Sequence, residues 1–197
     1  MKTHDHPLDR FGDWLLKAKK SDPENYNACT LSTVNESGFP SSRIVLLKHA
    51  DQNGFVFYTN LNSRKSSEIR KNSRVSLCFF WAGLNRQVRV EGDAELVSDA
   101  EADEYFQSRP RGHRIGGWAS KQSEAYEGRE LEQRVARFMA KYPVGPVPRP
   151  EFWGGFRIRP GAIEFWEKRN FRLHSRIRYE KNSDEWETSW SKSRLFP

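Results

Sequence analysis

The stretch ACTLSTVNESGFPSSRIVLLKHADQNGFVFYTN, Ala28 to Asn60, decides the class of fold. Three runs rich in β-branched and aromatic residues are separated by two turn tetrapeptides, NESG at 35–38 and DQNG at 51–54. Asn, Asp and Gly tolerate the left-handed backbone of a tight turn, so each run folds back antiparallel on the one before it. ACTLSTV, SSRIVLLKHA and FVFYTN are therefore read as the first strands of a meander. The centre of the second, Ile44 to Leu47, is apolar at every position and reads as buried on both faces, with Arg43 and Lys48 as cations at its ends.

Upstream, Leu8, Phe11, Trp14, Leu15 and Ala18 follow helical spacing behind Pro7, which predicts an amphipathic helix over about residues 7 to 20. Downstream, SRKSSEIRKN reads as a helix, followed by the strands RVSLCFFW and RQVRVEGDAELV joined by AGLN. Five strands in about seventy residues point to a closed or nearly closed barrel, because closure removes exposed edges. Ser98 and Glu101 in SDAE form a capping box that opens a helix running to about Gln107. SRPRGHRIGGWASKQS, Ser108 to Ser123, is rich in Gly and Pro and reads as a loop. Leu131, Val135, Phe138, Met139 and Tyr142 recur at helical spacing, and that helix stops before PVGPVPRP. The last third returns to strands: WGGFRIRP, AIEFW, FRLHSRIRY and one near SRLFP. No internal repeat or linker is visible, so residues 1–197 read as one domain, α+β and mainly β.

Seven Trp and thirteen Phe supply large apolar areas for a core, although only 36% of the chain is hydrophobic. Lys and Arg outnumber Asp and Glu by 33 to 26, which favours anionic partners without choosing between phosphate ligands and nucleic acid. Cys29 and Cys78 lie in apolar runs and read as reduced thiols rather than a disulfide. No apolar run approaches the ~20 residues of a membrane span, and the N-terminus lacks the apolar core of a secretory signal. A cytoplasmic protein without a membrane partner is expected. There is no G-x-G-x-x-G, Walker loop, zinc-spaced Cys pair or G-x-S-x-G elbow. His4 and His6 lie two apart with no further ligand at metal spacing, so no metal site is expected, and His49 reads as a surface histidine at a strand end.

Basic residues gather where strands meet turns. In FRLHSRIRY, Arg172, His174, Arg176 and Arg178 occupy every second position, so in a strand all four point to one face. Such a comb either serves an anionic ligand or is a solvated edge that resists pairing. In YTNLNSRKSSE a strand runs into a helix start, where free amides with Ser63, Arg64 and Lys65 suit a phosphate, or where Ser63 simply caps the helix. Tyr105, Arg109, Arg111, His113 and Arg114 add further candidates on the loop that follows.

RIVLLK, FYTNLNSRKSSEI, RQVRVEG, YFQSRPRG, IGGWASKQS, WGGFRIRP, EFW and RLHSR stand in the order and spacing seen in pyridoxamine 5′-phosphate oxidases. The resemblance spans Leu8 to Pro197, and eight fragments in register make it specific. It implies an FMN-binding split β-barrel, a homodimer with FMN at the subunit interface, and oxidation of pyridoxine or pyridoxamine 5′-phosphate to pyridoxal 5′-phosphate with O2 reoxidising the flavin. Carried over by position, FMN contacts fall on Arg43, Ile44, Val45, Leu46, Leu47, Lys48, Tyr58, Thr59, Arg64, Lys65, Gln87, Gln122, Ser123, Trp166 and Arg176. Substrate contacts fall on Lys48, Tyr105, Arg109, Arg172 and His174, with His113 in the same loop, and Arg172 and His174 take the catalytic role. Arg178 is left as a solvated surface residue.

The chain departs from the family pattern on the substrate side. His113 stands where the family usually has Ser, Ser175 where it has Asp after the RLH histidine, and FWEK at Phe165 to Lys168 where it has FWQG. The rival enzyme is a relative that keeps the flavin cradle and takes another anionic aromatic substrate, as the phenazine-biosynthesis oxidases do with reduced tricyclic precursors. A basic β-barrel that binds nucleic acid, stacking bases on the aromatics of EFWEKRNFR, is the non-enzyme alternative; it leaves the motif register unexplained.

Overall fold

The structure is a computed structural model and describes residues 6–182 and 190–197. Helix α1 (Pro7–Ser21) leads into β1 (Ala28–Val34), β2 (Pro40–Leu46), β3 (His49–Asp51) and β4 (Gly54–Asn60). Helix α2 (Arg64–Lys71) precedes β5 (Arg74–Trp81) and β6 (Arg86–Leu96), and three helices follow, α3 (Asp99–Ser108), α4 (Arg111–Ala119) and α5 (Glu130–Lys141). The chain ends in β7 (Trp153–Glu167), β8 (Ser175–Lys181) and β9 (Trp190–Leu195).

One antiparallel sheet runs in the order β2-β1-β5-β6-β7-β4-β3, with β8 on β7 and β9 on β8. Segment 40–51 pairs with β1 through β2 and with β4 through β3, so the sheet curls until its two ends are consecutive pieces of one segment. Strand β7 pairs with β4 through Trp153–Ile158 and with β8 through Ala162–Glu167, while β6 runs beside both parts. The α+β, mainly β split barrel that the family resemblance implies is the observed architecture. Alternation fills the barrel: Leu31, Leu77, Phe79, Val88 and Val90 point inward and are fully buried. Helix α1, whose first turn His6 caps by accepting the Leu8 N–H at Nδ1, lays its apolar stripe over this core. Its Phe11 meets Phe55 and Phe79 edge-on at 4.9 and 5.1 Å, and Trp14 meets Phe165 at 5.2 Å.

Four expectations are corrected. Ser108–Ser123 is not a loop, since α4 forms within it. Its glycines cost helix stability, roughly 1 kcal/mol each against Ala, but burial of Ile115 and Ala119 and the close seat of Gly117 on the Phe106 ring outweigh that. Ile44 and Leu46 are not buried: β2 pairs on one side only, and these side chains are 65% and 47% exposed on its outer face. WGGFRIRP and AIEFW form one strand, because a bulge opposite Glu91 and Gly92 absorbs Gly161 while Pro160 stays paired with Gly92; a Cβ on Gly92 would lie 2.0 Å from the Arg159 carbonyl oxygen. Finally, FRLHSRIRY is a strand only from Ser175; Asn170–Arg172 form a 3-10 turn in which Phe171 and Arg172 adopt φ of 56° and 61°. The comb is therefore split, with Arg176 and Arg178 on β8 and Arg172 and His174 on the turn before it. Among the described residues no helix is long and apolar enough to cross a membrane, and His4 lies outside them.

Candidate active site

A cleft of about 920 Å³ opens where β2 and β4 meet the corner between α3 and α4. Lys48, Tyr58, Thr59, Lys65, Tyr105, Arg109, His113, Gln122 and Trp153 all reach its wall, beside Ile44, Val45 and Leu46. Tyr58 stacks on Tyr105 at 4.0 Å and lies parallel to Trp153 at 5.5 Å, which makes a flat aromatic slab. The Tyr58 hydroxyl is buried without a hydrogen-bond partner among the described residues, and burial, helped by nearby Glu101, pushes its pKa up to about 12. It remains a neutral donor at physiological pH.

Three cations on this wall lack a carboxylate partner among the described residues. Lys65, only 7% exposed, donates to Gln122 Oε1 at 2.8 Å, Ser63 Oγ at 3.1 Å and Thr59 Oγ1 at 3.2 Å, all neutral oxygens. Burial first, and then the like charge of Arg43, bring its pKa down to about 8. Arg109 lies 4.8 Å over the Trp153 ring with one guanidinium nitrogen buried and unpartnered, and burial lowers its pKa. Lys48 sits 5.8 Å over the ring of Tyr105. A buried cation facing only neutral groups costs free energy that a bound anion offsets.

Next to Lys65 lies a closed polar knot. Glu68, 5% exposed, accepts from Arg64 Nε at 2.8 Å, Ser41 Oγ at 2.7 Å, Arg43 Nη2 at 3.3 Å and Thr33 Oγ1. Burial alone would raise its pKa, but the hydrogen bonds from Thr33, Arg64 and Ser41 hold it down at about 2. Ser63 does not cap α2; its hydroxyl donates to the Asn60 carbonyl, and Ser123 Oγ accepts the Arg64 N–H at 3.2 Å instead.

A second cluster lies on the neighbouring strands. Gln87 on β6 stands opposite Trp166 on β7, which stands opposite Arg176 on β8. The His174 ring lies 4.7 Å from the Trp166 ring. Arg176 donates to Glu164 at 2.8 Å and to the Phe196 carbonyl at 3.0 Å, and buried Glu164 also holds Arg89 at 2.6 Å. Arg178 is not merely solvated: it bonds Glu91 and Glu180, each at 2.9 Å. Arg172 has no carboxylate partner among the described residues.

The expected site residues thus fall in two groups within one chain. Ile44, Val45, Leu46, Lys48, Tyr58, Thr59, Lys65, Tyr105, Arg109, His113 and Gln122 line the cleft, with Arg64 and Ser123 bonded to each other behind Gln122. Arg43 turns to Glu68, and Leu47 is in the core at 4% exposure. Gln87, Trp166, Arg172, His174 and Arg176 are absent from the cleft wall. Sequence reasoning missed Trp153, Asn60, Glu68 and Glu164. Only Glu68 had a local signal, its i,i+4 spacing from Arg64.

Residues 16–141 match the family model described as pyridoxamine 5′-phosphate oxidase, and residues 153–197 match the pyridoxine 5′-phosphate oxidase C-terminal dimerisation region. The chain belongs to the pyridoxamine 5′-phosphate oxidase family. A family relative named pyridoxine/pyridoxamine 5′-phosphate oxidase, from Brucella canis, is 53% identical over 192 residues, 97% of this chain and 94% of the relative. The crystal structure of PhzG from Burkholderia lata, in complex with tetrahydrophenazine-1-carboxylic acid, superposes with a TM-score of 0.91 at 28% identity, covering 100% of this chain and 95% of that one. A pyridoxamine 5′-phosphate oxidase-related, FMN-binding protein from Nostoc punctiforme shares the fold, with a TM-score of 0.78 at 18% identity and 98% of each chain covered. The dimerisation region of the family contains the whole β7–β8 part of the second cluster.

Proposed function

We propose that the protein is an FMN-dependent oxidase that converts pyridoxamine or pyridoxine 5′-phosphate to pyridoxal 5′-phosphate, with O2 as electron acceptor. The observation that carries this reading is the set of unpaired cations, Lys48, Lys65 and Arg109, around the Tyr58–Tyr105–Trp153 slab. Phosphate-bearing planar ligands fit such a wall, and the relative from Brucella canis bears the name of that activity. Lys65 and Arg64 hold the FMN phosphate, Thr59, Gln122 and Ser123 fix their geometry, and Arg43 acts through the Glu68 knot. Lys48, Tyr105 and Arg109 grip the substrate phosphate, a remote anchor that supplies orientation.

A homodimer supplies the rest of the site. In this reading Gln87, Trp166 and Arg176 of the second cluster complete the flavin cradle across the interface, while Arg172 and His174 face the substrate. FMN, when bound, would supply the acceptor for a hydride from the substrate C4′ carbon and the route of its electrons to O2. Arg172 and His174 bind and orient the substrate amine or hydroxyl, and fixed donors along the cleft stabilise charge that develops there. No protein nucleophile is needed.

A second reading is oxidation of a reduced phenazine precursor, favoured by the 0.91 TM-score to PhzG and by His113 on the cleft wall in place of the usual Ser. One experiment separates them: the absorption spectrum of the purified protein, then anaerobic bleaching by pyridoxamine 5′-phosphate, pyridoxine 5′-phosphate or a dihydrophenazine carboxylic acid. Bleaching by a B6 phosphate is expected. Bleaching by the phenazine acid alone moves the function to the second reading, and a colourless protein that takes up no FMN removes both.

A further inference from the structure

The turn that leads into β8 carries a chain of ion pairs that the proposed chemistry leaves unused. Arg86 on β6 stands directly opposite Glu167 on β7 and donates to its Oε1 from Nε at 3.0 Å and from Nη2 at 2.8 Å. Arg169 returns to the other oxygen of the same carboxylate, Nη2 to Oε2, at 2.5 Å. The backbone N–H of Arg169 in turn donates to His174 Nδ1 at 3.3 Å, and the Lys168 N–H is tied to the Asn85 carbonyl at 3.0 Å.

This turn needs tethers. Phe171 and Arg172 both hold left-handed backbone, which is strained for residues other than glycine. Neither is offset by packing from Phe171, whose side chain is 92% exposed. Glu167 is ionised: burial would raise its pKa, but Arg86, with Arg169 and Arg10 of α1 close by, holds it below the usual carboxylate range.

The geometry points to Glu167 as a positioning residue for His174: gripped between Arg86 and Arg169, its carboxylate fixes the residue whose amide holds the imidazole at Nδ1. A neutral ring that accepts at Nδ1 carries its proton on Nε2, so His174 presents Nε2–H as a donor to whatever lies on its far side. In the substrate that donor meets a lone pair of the C4′ amine or hydroxyl. This rests on the reading of His174 as a substrate-facing group. Glu167 is also where FWEK replaces the usual FWQG, so this chain holds the turn with a charge.

The test compares Glu167→Ala and Glu167→Gln with wild type in the flavin-loaded protein. Three readouts are used: the 15N signals of the His174 ring, kcat and KM for pyridoxamine 5′-phosphate, and flavin affinity. Wild type should show an unprotonated Nδ1 and a protonated Nε2. Glu167→Ala should mix the two tautomers and lower kcat by about tenfold or more, with KM and flavin affinity near wild type. Glu167→Gln keeps one acceptor oxygen, which serves one of the two arginines, and should recover only part of kcat and of the His174 signature. An unchanged His174 signature in Glu167→Ala overturns the assignment, as does a kcat loss matched by an equal loss of flavin affinity. The nitrogen signals need no substrate, so a wild type that oxidises neither B6 phosphate refutes the functional reading and leaves the tether to be judged on the ring alone.

Discussion

The cleft wall and the β6–β8 cluster are both rich in cations, yet they treat them in opposite ways. On the cleft wall Lys48, Lys65 and Arg109 meet aromatic faces and neutral oxygens. On the strands, Arg86, Arg89, Arg176 and Arg178 each meet a glutamate within 3.0 Å. Paired cations hold strands in register and gain little from a further anion. Buried, unpaired ones carry an uncompensated cost that a ligand removes, so the cleft wall gains most from an anion, while Arg64 and Arg176 would meet one with their charge already shared with Glu68 and Glu164. Arg172 is exposed, so its place on the substrate side rests on the family resemblance and not on this criterion.

The contrast can be broken at several points, the largest first. Replacing Arg64 and Lys65 together by Ala removes two charge-assisted contacts worth about 1.5–3 kcal/mol each, so FMN affinity should fall by roughly a hundredfold or more. A flavin titration of the double variant that matches wild type sinks the phosphate assignment of the cleft.

Glu68 should give the next largest effect, on stability. Its pKa lies at about 2 in the fold against 4.5 for a free carboxyl, so its contribution is fully present above about pH 4.5 and is lost as pH falls towards 2. About 2.5 pH units at 1.36 kcal/mol each amount to roughly 3 kcal/mol. Glu68→Gln should be less stable than wild type at neutral pH, with the gap closing on acidification; a gap independent of pH in denaturant titrations contradicts the knot described around Arg43 and Arg64.

Arg172→Ala should keep its flavin and lose at least about tenfold in kcat/KM for pyridoxamine 5′-phosphate, the rate equivalent of about 1.4 kcal/mol. Loss of yellow colour in that variant would move Arg172 to the cofactor side. The smallest effect is expected at Arg178: its pairs with Glu91 and Glu180 are partly exposed, so Arg178→Ala should cost under ~1 kcal/mol and leave flavin and turnover unchanged. A large activity loss there would erase the distinction between paired and unpaired cations.

Much of this was legible in the residues themselves. Turn chemistry at NESG and DQNG and the period-two runs fixed the meander, because backbone preference and alternation are local properties. Helical spacing from Leu8 to Ala18 and the Ser98 cap are local in the same sense, and both elements formed where expected. The SRK segment announced its cluster because strand end, helix start and cations are contiguous. Where local signals misled, a distant partner had intervened: Phe106 and the barrel wall turned a glycine-rich stretch into α4, and the Glu91–Gly92 bulge carried β7 through Pro160.

Charge pairing was decided only in three dimensions. Spacing placed four basic groups in a comb, but it could not assign Arg176 to Glu164, twelve residues away, or Arg178 to Glu91, eighty-seven away. Nor could it break the comb at a left-handed turn, or leave Lys65 among neutral oxygens drawn from Thr59, Ser63 and Gln122. The sequence by itself determined which residues are cations and which stretches are strands; the curl of the sheet decided which cations are neutralised, because an ion pair depends on a separation of a few ångströms that only tertiary packing sets.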